Sequence, residues 1–201
     1  MGVEKGMDSK CNTVKLYSVQ TNLLIKIIEK NGTCFSKKDF IISKYEESAP
    51  IFVAAYSWFS KEADKIVPRP DKAEFPYWAF TDMKNLEKFS DSSILELYVP
   101  INEVVFFNMY DWNKILKLQY IGESENEEKN FRSLLNEYGI KHDSDLILTN
   151  FYPELKKQVM DSWSHLFFYH NQIKNGNFSC VQSVQAALWQ IRYEWINNII
   201  N

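Results

Sequence analysis

Three histidines, six isolated glycines and a few carboxylates set among apolar runs are where chemistry would have to come from in this chain. His165 and His170 are five positions apart, which on a helix turns them about 140° from one another. A zinc pair sharing one helix face needs a spacing of three or four. His142 falls in a loop after Gly139, so no metal centre is expected from the histidines. The glycines stand singly and form no GxGxxG, no phosphate-cradling GxxxxGK and no GxSxG elbow, which excludes the common dinucleotide, P-loop and hydrolase-elbow sites. Cys11, Cys34 and Cys180 have no CxxC spacing and are odd in number, the pattern of reduced thiols and not of a disulfide frame.

The carboxylates divide by setting. Glu96 occupies a strand interior, where an acid is disfavoured; either that face is exposed or Glu96 enters a pocket with a shifted pKa. Asp111 reads first as a helix cap, with any functional role additional. Glu123, Glu125, Glu127 and Glu128 follow or flank Ser124 and suit the positive end of a helix dipole, so they read as a helix start and not as a metal site. Near the C-terminus, Val181, Val184, Leu188, Ile191 and Trp195 fall at helical spacing. Gln185, Trp189 and Arg192 make a half-polar stripe beside them. This pattern predicts a core helix over about 180–199, packed on a sheet, with the amide and guanidinium satisfying backbone groups.

The elements that must position these residues alternate strand and helix. The run Val14–Val19 alternates as a half-buried strand does. Thr21 caps a helix Asn22–Lys30 that Gly32 ends, with Leu24, Ile27 and Ile28 on its apolar face. A second helix starts after Ser48 with Pro50 in its first turn and turns Phe52, Ala55, Phe59 and Ile66 inward. Val67–Asp71 is a stiff, ordered connection. Strands are expected at 75–81, 94–99 and 104–107, and helices from Asp111 to about Tyr120, over Ser124–Tyr138, and from about Pro153 to Tyr169.

The expected fold class is therefore α+β: a central, mainly antiparallel sheet flanked by helices in one globular domain over 14–201. Residues 1–13 are expected to form a flexible leader, with Met7 as an alternative start. The chain has 201 residues, 45% of them hydrophobic and 15% aromatic, enough to fill one core. A net charge of −3 disfavours bulk nucleic-acid binding, which draws on a basic excess. The apolar runs are too short to span a bilayer, and the polar N-terminus carries no secretory signal. These features predict a cytoplasmic location and no membrane partner.

Five segments, in order, resemble a bacterial family known only as domain of unknown function 3841. They are Leu16–Gln20, Ala55–Trp58, Phe75–Phe80, Leu97–Trp112 with its Val99-Pro100 and Asp111-Trp112 pairs, and Val181–Trp195 with Gln185 and Trp189. The resemblance implies a compact fold with the look of ADP-ribosyltransferases, and with it NAD or a related nucleotide as substrate. Cleaving the nicotinamide–ribose bond needs an aromatic platform, polar contacts to the ribose and one carboxylate to stabilise an oxocarbenium-like centre. Tyr17 or Trp78 is then the platform, Gln20, Thr21 and Gln185 the polar contacts, and Glu96 or Asp111 the carboxylate. The expected cleft lies where the first strand's end, the aromatic strand and the C-terminal segment meet, around Gln20, Trp78 and Gln185. No metal is expected. The chain departs from the family where an arginine-rich segment is replaced by Met83–Phe89, and where Asn108-Met109-Tyr110 precedes Asp111. If those residues carry the family's chemistry, this is a divergent or inactive member. The alternative function is a non-catalytic protein-binding module, as in phage-defence or toxin-type systems, using some of the 14 Phe, 11 Tyr and 6 Trp as interface anchors.

Overall fold

The computed structural model describes residues 12–200; the leader expected over 1–13 thus lies outside the described residues except for its last two. In chain order the elements are β1 (Thr13–Thr21), α1 (Asn22–Asn31), β2 (Thr33–Phe35), α2 (Lys38–Tyr45), α3 (Ala49–Ala63), β3 (Tyr77–Phe80), β4 (Ser92–Pro100), β5 (Val104–Asn108) and α4 (Met109–Leu116). There follow α5 (Glu125–Glu137), α6 (Asp143–Leu148), α7 (Pro153–Ser162), α8 (His170–Lys174), β6 (Val184–Leu188), β7 (Gln190–Arg192) and β8 (Ile196–Ile200). Six strands form one antiparallel-paired sheet in the order β5-β6-β3-β1-β4-β8, and β2 pairs with β7 in a second, two-stranded sheet. The α+β expectation holds.

Local signals explain most boundaries. Thr21 accepts a hydrogen bond from the Leu24 amide, and Gly32 ends α1 at φ 75°, a left-handed conformation that costs glycine little. Ser124 accepts from the Glu127 amide at the start of α5. Because β1 lies between β3 and β4 and is antiparallel to both, the 81–91 connection must carry the chain across β1. Elements on either side of the Pro68–Pro70 linker therefore share one sheet.

Alternation along the strands sorts side chains to two faces. One face meets α3 and α4 in an aromatic cluster that includes Phe59, Phe107, Trp112, Trp163 and the partly buried Trp78. The other packs Leu16, Leu95, Leu97, Phe106, Ala186 and Leu188 against Ile25 and Ile28 of α1. Thus α1 buries Ile25 and Ile28 and leaves Ile27 exposed, a face turned from the expected Leu24–Ile27–Ile28.

The segment expected as a C-terminal helix is instead β6, β7, a 3-10 turn at 193–195 and β8. Every residue of β6 is buried, because β3 and β5 flank it and both of its faces are covered. A strand buried on both faces loses its polar alternation; the valines, isoleucines and tryptophans across 181–199 are the better guide to strand. Leu188 and Ile191 are fully buried even so. The expected Pro153–Tyr169 helix ends at Ser162, and a 3-10 stretch continues to Phe167. The helix expected to start at Asp111 starts at Met109, because Asn108 and not Asp111 is its cap: the Asn108 side chain accepts from the Tyr110 amide.

Candidate functional site

Asn108 has a second task. While its Oδ1 caps α4, its Nδ2 donates to Asp111 Oδ2 at 3.0 Å, so one residue both starts the helix and orients the carboxylate one turn in. The Asp111 side chain is 18% exposed, and burial pushes its pKa above the usual aspartate range, against the opposing pull of Asn108 and Lys114. Lys114 offers little neutralisation: its Nζ is 4.0 Å from Asp111 and 2.5 Å from Glu128.

Asp111 and Asn108 line a cleft of about 470 Å³ together with Gln182, His165, Phe168 and Tyr169. Met109 donates its amide to the Ser183 carbonyl, which ties the start of α4 to the approach of β6. His165 Nε2 lies 3.5 Å from Glu123 Oε1 on the rim, and Phe168 is 69% exposed. A partly desolvated carboxylate, two amides and two aromatic rings can together hold a ligand with a flat ring and hydrogen-bonding groups.

The other expected site residues are dispersed. Gln185 is 4% exposed, and its Oε1 has no hydrogen-bond partner. It pairs with Phe80 on one side and Phe107 on the other, one rung in from the Asn108–Val184 pair at the cleft. Trp78 shares that face, but its indole is taken into the aromatic cluster: Nε1 donates to the Tyr56 hydroxyl at 2.7 Å, and Trp112 packs with ring centroids 4.9 Å apart. Gln20 does not join them. The β1–β3 and β1–β4 registers put Tyr17 on the face of Phe80 and Glu96, so Gln20, an odd number of residues on, points the other way. Its Nε2 donates to Ser18 Oγ, which in turn donates to the Trp78 carbonyl. The expected Gln20–Trp78–Gln185 cleft is therefore not formed. Thr21 uses its hydroxyl on the α1 cap.

Tyr17 and Glu96 come together, at a distance from Asp111 in the sheet. They are cross-strand partners, and Lys15 serves both, 2.9 Å from Glu96 and 5.3 Å from the Tyr17 ring centroid. Glu96 also accepts from Asn197. The Lys15 and Asn197 side chains hold its carboxyl below the usual glutamate range. Tyr17 lines an open groove of about 1030 Å³ with Lys15, Thr81 and Lys174. No cluster of three metal-ligating side chains occurs among the described residues, and no helix among them is long and apolar enough to cross a membrane.

Phe168, Tyr169 and Gln182 were not singled out in the sequence, and Asn108 and His165 were named there without being placed at a site. The one available signal was the Asn108-Met109-Tyr110 departure from the family pattern. The five-residue spacing of His165 and His170 bears on a shared helix face, and the helix ends at Ser162.

With this geometry in place, the family comparison is specific: the model of a domain of unknown function, DUF3841, matches residues 15–197. The chain belongs to that family. No curated protein and no solved structure matches it.

Proposed function

We propose that this DUF3841 member binds NAD or a related nucleotide in the Asp111 cleft, as an ADP-ribosyltransferase-like domain in which binding is better equipped than turnover. The observation that carries the reading is the Asp111 carboxylate, oriented by Asn108, raised in pKa by burial and opening on a cleft with Phe168 and Tyr169. Such a carboxylate favours a ligand that brings positive charge or hydroxyl donors, because a cation restores what desolvation removed. The nicotinamide ring and its ribose supply both. Phe168 or Tyr169, in place of Tyr17 or Trp78, is then the platform. Turnover is less well equipped because Glu96 is committed to Lys15 and Asn197, and Glu123, the other acid lining the Asp111 cleft, stands exposed on its rim beside His165.

The test is titration of the protein with NAD by calorimetry and thermal shift. Ligand at about 100 times its Kd should stabilise the fold by roughly 2.7 kcal/mol. Asp111→Asn should weaken binding about tenfold or more, the loss of one hydrogen bond to a charged group being about 1.5–3 kcal/mol. No stabilisation at millimolar NAD rejects the reading. It would favour the protein-binding alternative, for which the exposed Leu148, Phe151 and the Tyr138–Tyr152 pair are the observation.

A further inference from the structure

We propose that His170 is a titratable pin that positions the wall of the Asp111 cleft, so that protonating one buried imidazole loosens the site. This regulation rests on the reading of that cleft as a ligand site.

β5 is an edge strand of the six-stranded sheet, and an edge leaves backbone groups without a strand partner. At Phe106 the outward amide is satisfied by a side chain: it donates to His170 Nδ1 at 3.1 Å. A backbone amide only donates, so Nδ1 must carry a lone pair and the ring proton must sit on Nε2. Adding a proton to Nδ1 removes the acceptor and leaves two donors facing each other. His170 is 5% exposed, so water has little access to compensate.

Burial lowers the His170 pKa, and the charge of Lys174, one turn on, lowers it further; the Phe106 amide, donating to the lone pair of the neutral ring, works in the same direction. Among the described residues, the elements that contact α8 most, β5 and the 3-10 turn at 178–180, bring no carboxylate to hold a charged imidazole. β5 carries no titratable side chain, the 3-10 turn at 178–180 carries only Cys180, and the 163–167 stretch carries only His165. The neutral pin is the native state, and acid opposes it.

Segment 165–176 makes this local event matter. His165, Phe168 and Tyr169 line the Asp111 cleft, while Lys174, Asn175 and Gly176 line the Tyr17 groove. His170 lies between the two sets, and its ring is the hydrogen-bonded tie from this segment to the edge of β5. Releasing it leaves the Ile173 contact with the core but frees the backbone that presents Phe168 and Tyr169.

The experiment follows three signals from pH 7.5 down to pH 5 in wild type and His170→Asn, which keeps an acceptor near the Nδ1 position but cannot titrate. They are hydrogen exchange of the Phe106 amide, corrected for its intrinsic pH dependence; NAD affinity; and the maleimide reactivity of Cys180, a cleft residue, relative to Cys34 on β2. In wild type, Phe106 protection should fall on acidification while relative Cys180 reactivity rises. NAD affinity should drop by up to about tenfold per pH unit once His170 titrates, the limit for one linked proton. Phe106 protection and the Cys180 ratio should flatten in His170→Asn, and the affinity should keep only the dependence that Asp111 gives it. Phe106 protection that ignores pH overturns the pin, as does protection that falls while Cys180 reactivity and affinity stay constant. If NAD binds at no pH, the nucleotide reading fails separately, and the Cys180-to-Cys34 ratio then decides the pin by itself. If His170→Asn does not fold, the wild-type titration decides it.

Discussion

Around Glu96 both carboxylate oxygens are engaged, one by Lys15 and the other by Asn197; around Asp111 one oxygen has Asn108 and the other only a lysine at 4.0 Å that is closer to Glu128. The first lies on a polar strip of β1 and β4 where the sheet has a lysine and a tyrosine for company. The second lies where a helix begins, under partial cover, beside a cleft. The contrast teaches that a carboxylate's chemistry is set by what its environment leaves undone. Glu96 has its charge matched, and its pKa moves down; Asp111 has been desolvated without a full partner, and its pKa moves up. Capacity for a ligand resides in the second kind of site.

The largest expected effect tests whether the two regions belong to one cooperative structure. β6 stands between the β5 edge next to the Asp111 cleft and the β3–β1–β4 strands that carry Tyr17 and Glu96. Leu188 on β6 is fully buried. Leu188→Ala should cost about 2–5 kcal/mol, as buried large-to-small changes do, in a single calorimetric transition followed equally by probes at either region. Two transitions would break the comparison, since the regions would then belong to separate units.

A smaller effect concerns Gln185, whose unpartnered Oε1 lies one rung behind the cleft. Replacing a buried, unpaired amide by an apolar side chain of similar size is neutral or stabilising. Gln185→Leu should raise the melting temperature by roughly 2–4 °C, the shift about 1 kcal/mol gives a chain of this size, and should weaken NAD. A gain in stability with unchanged affinity would assign Gln185 to packing and leave the site to Asp111 and its neighbours.

These regions also differ in how far the sequence discloses them. β1 and β4 were legible because their alternation is local, β5 because the turn after Pro100 sets off a short β-branched and aromatic run, and α1 and α5 because Thr21, Gly32, Ser124 and Gly139 are caps whose effect stays within one turn. Glu96 was legible as an acid inside a strand for the same reason, but its pairing with Lys15 and Asn197 was not. The Asp111 cleft was not, apart from Asp111 itself. Its walls come from 108–111, 121–123, 165–169 and 180–182, and no local period relates them. The C-terminal strands failed for a related reason: burial on both faces of β6 is a property of its neighbours, and it erases the polar alternation that marks a strand. His170 carries no local signal of its role, which depends on the Phe106 amide, 64 residues away in sequence.

The finest difference between the two carboxylates is the sign of their pH dependence. Stability rises with pH wherever the unfolded chain binds more protons than the folded one. The Glu96 carboxyl has a folded pKa below its unfolded value, so its contribution is present above the ordinary glutamate range and is lost as pH falls through the lowered value. Asp111 runs the other way. With its folded pKa above the unfolded one, the folded chain takes up the proton first, and stability is gained as pH falls from the raised value toward the ordinary aspartate range. Denaturant melts between pH 6 and pH 3 should therefore show Glu96→Gln flattening a loss on acidification and Asp111→Asn flattening a gain. The Asp111 effect should vanish when a cationic ligand fills the cleft, because the incoming charge returns the carboxyl toward its ordinary range. Equal signs for the two variants would mean that Asp111 is as fully paired as Glu96, and the case for an unfilled site beside it would fall with that result.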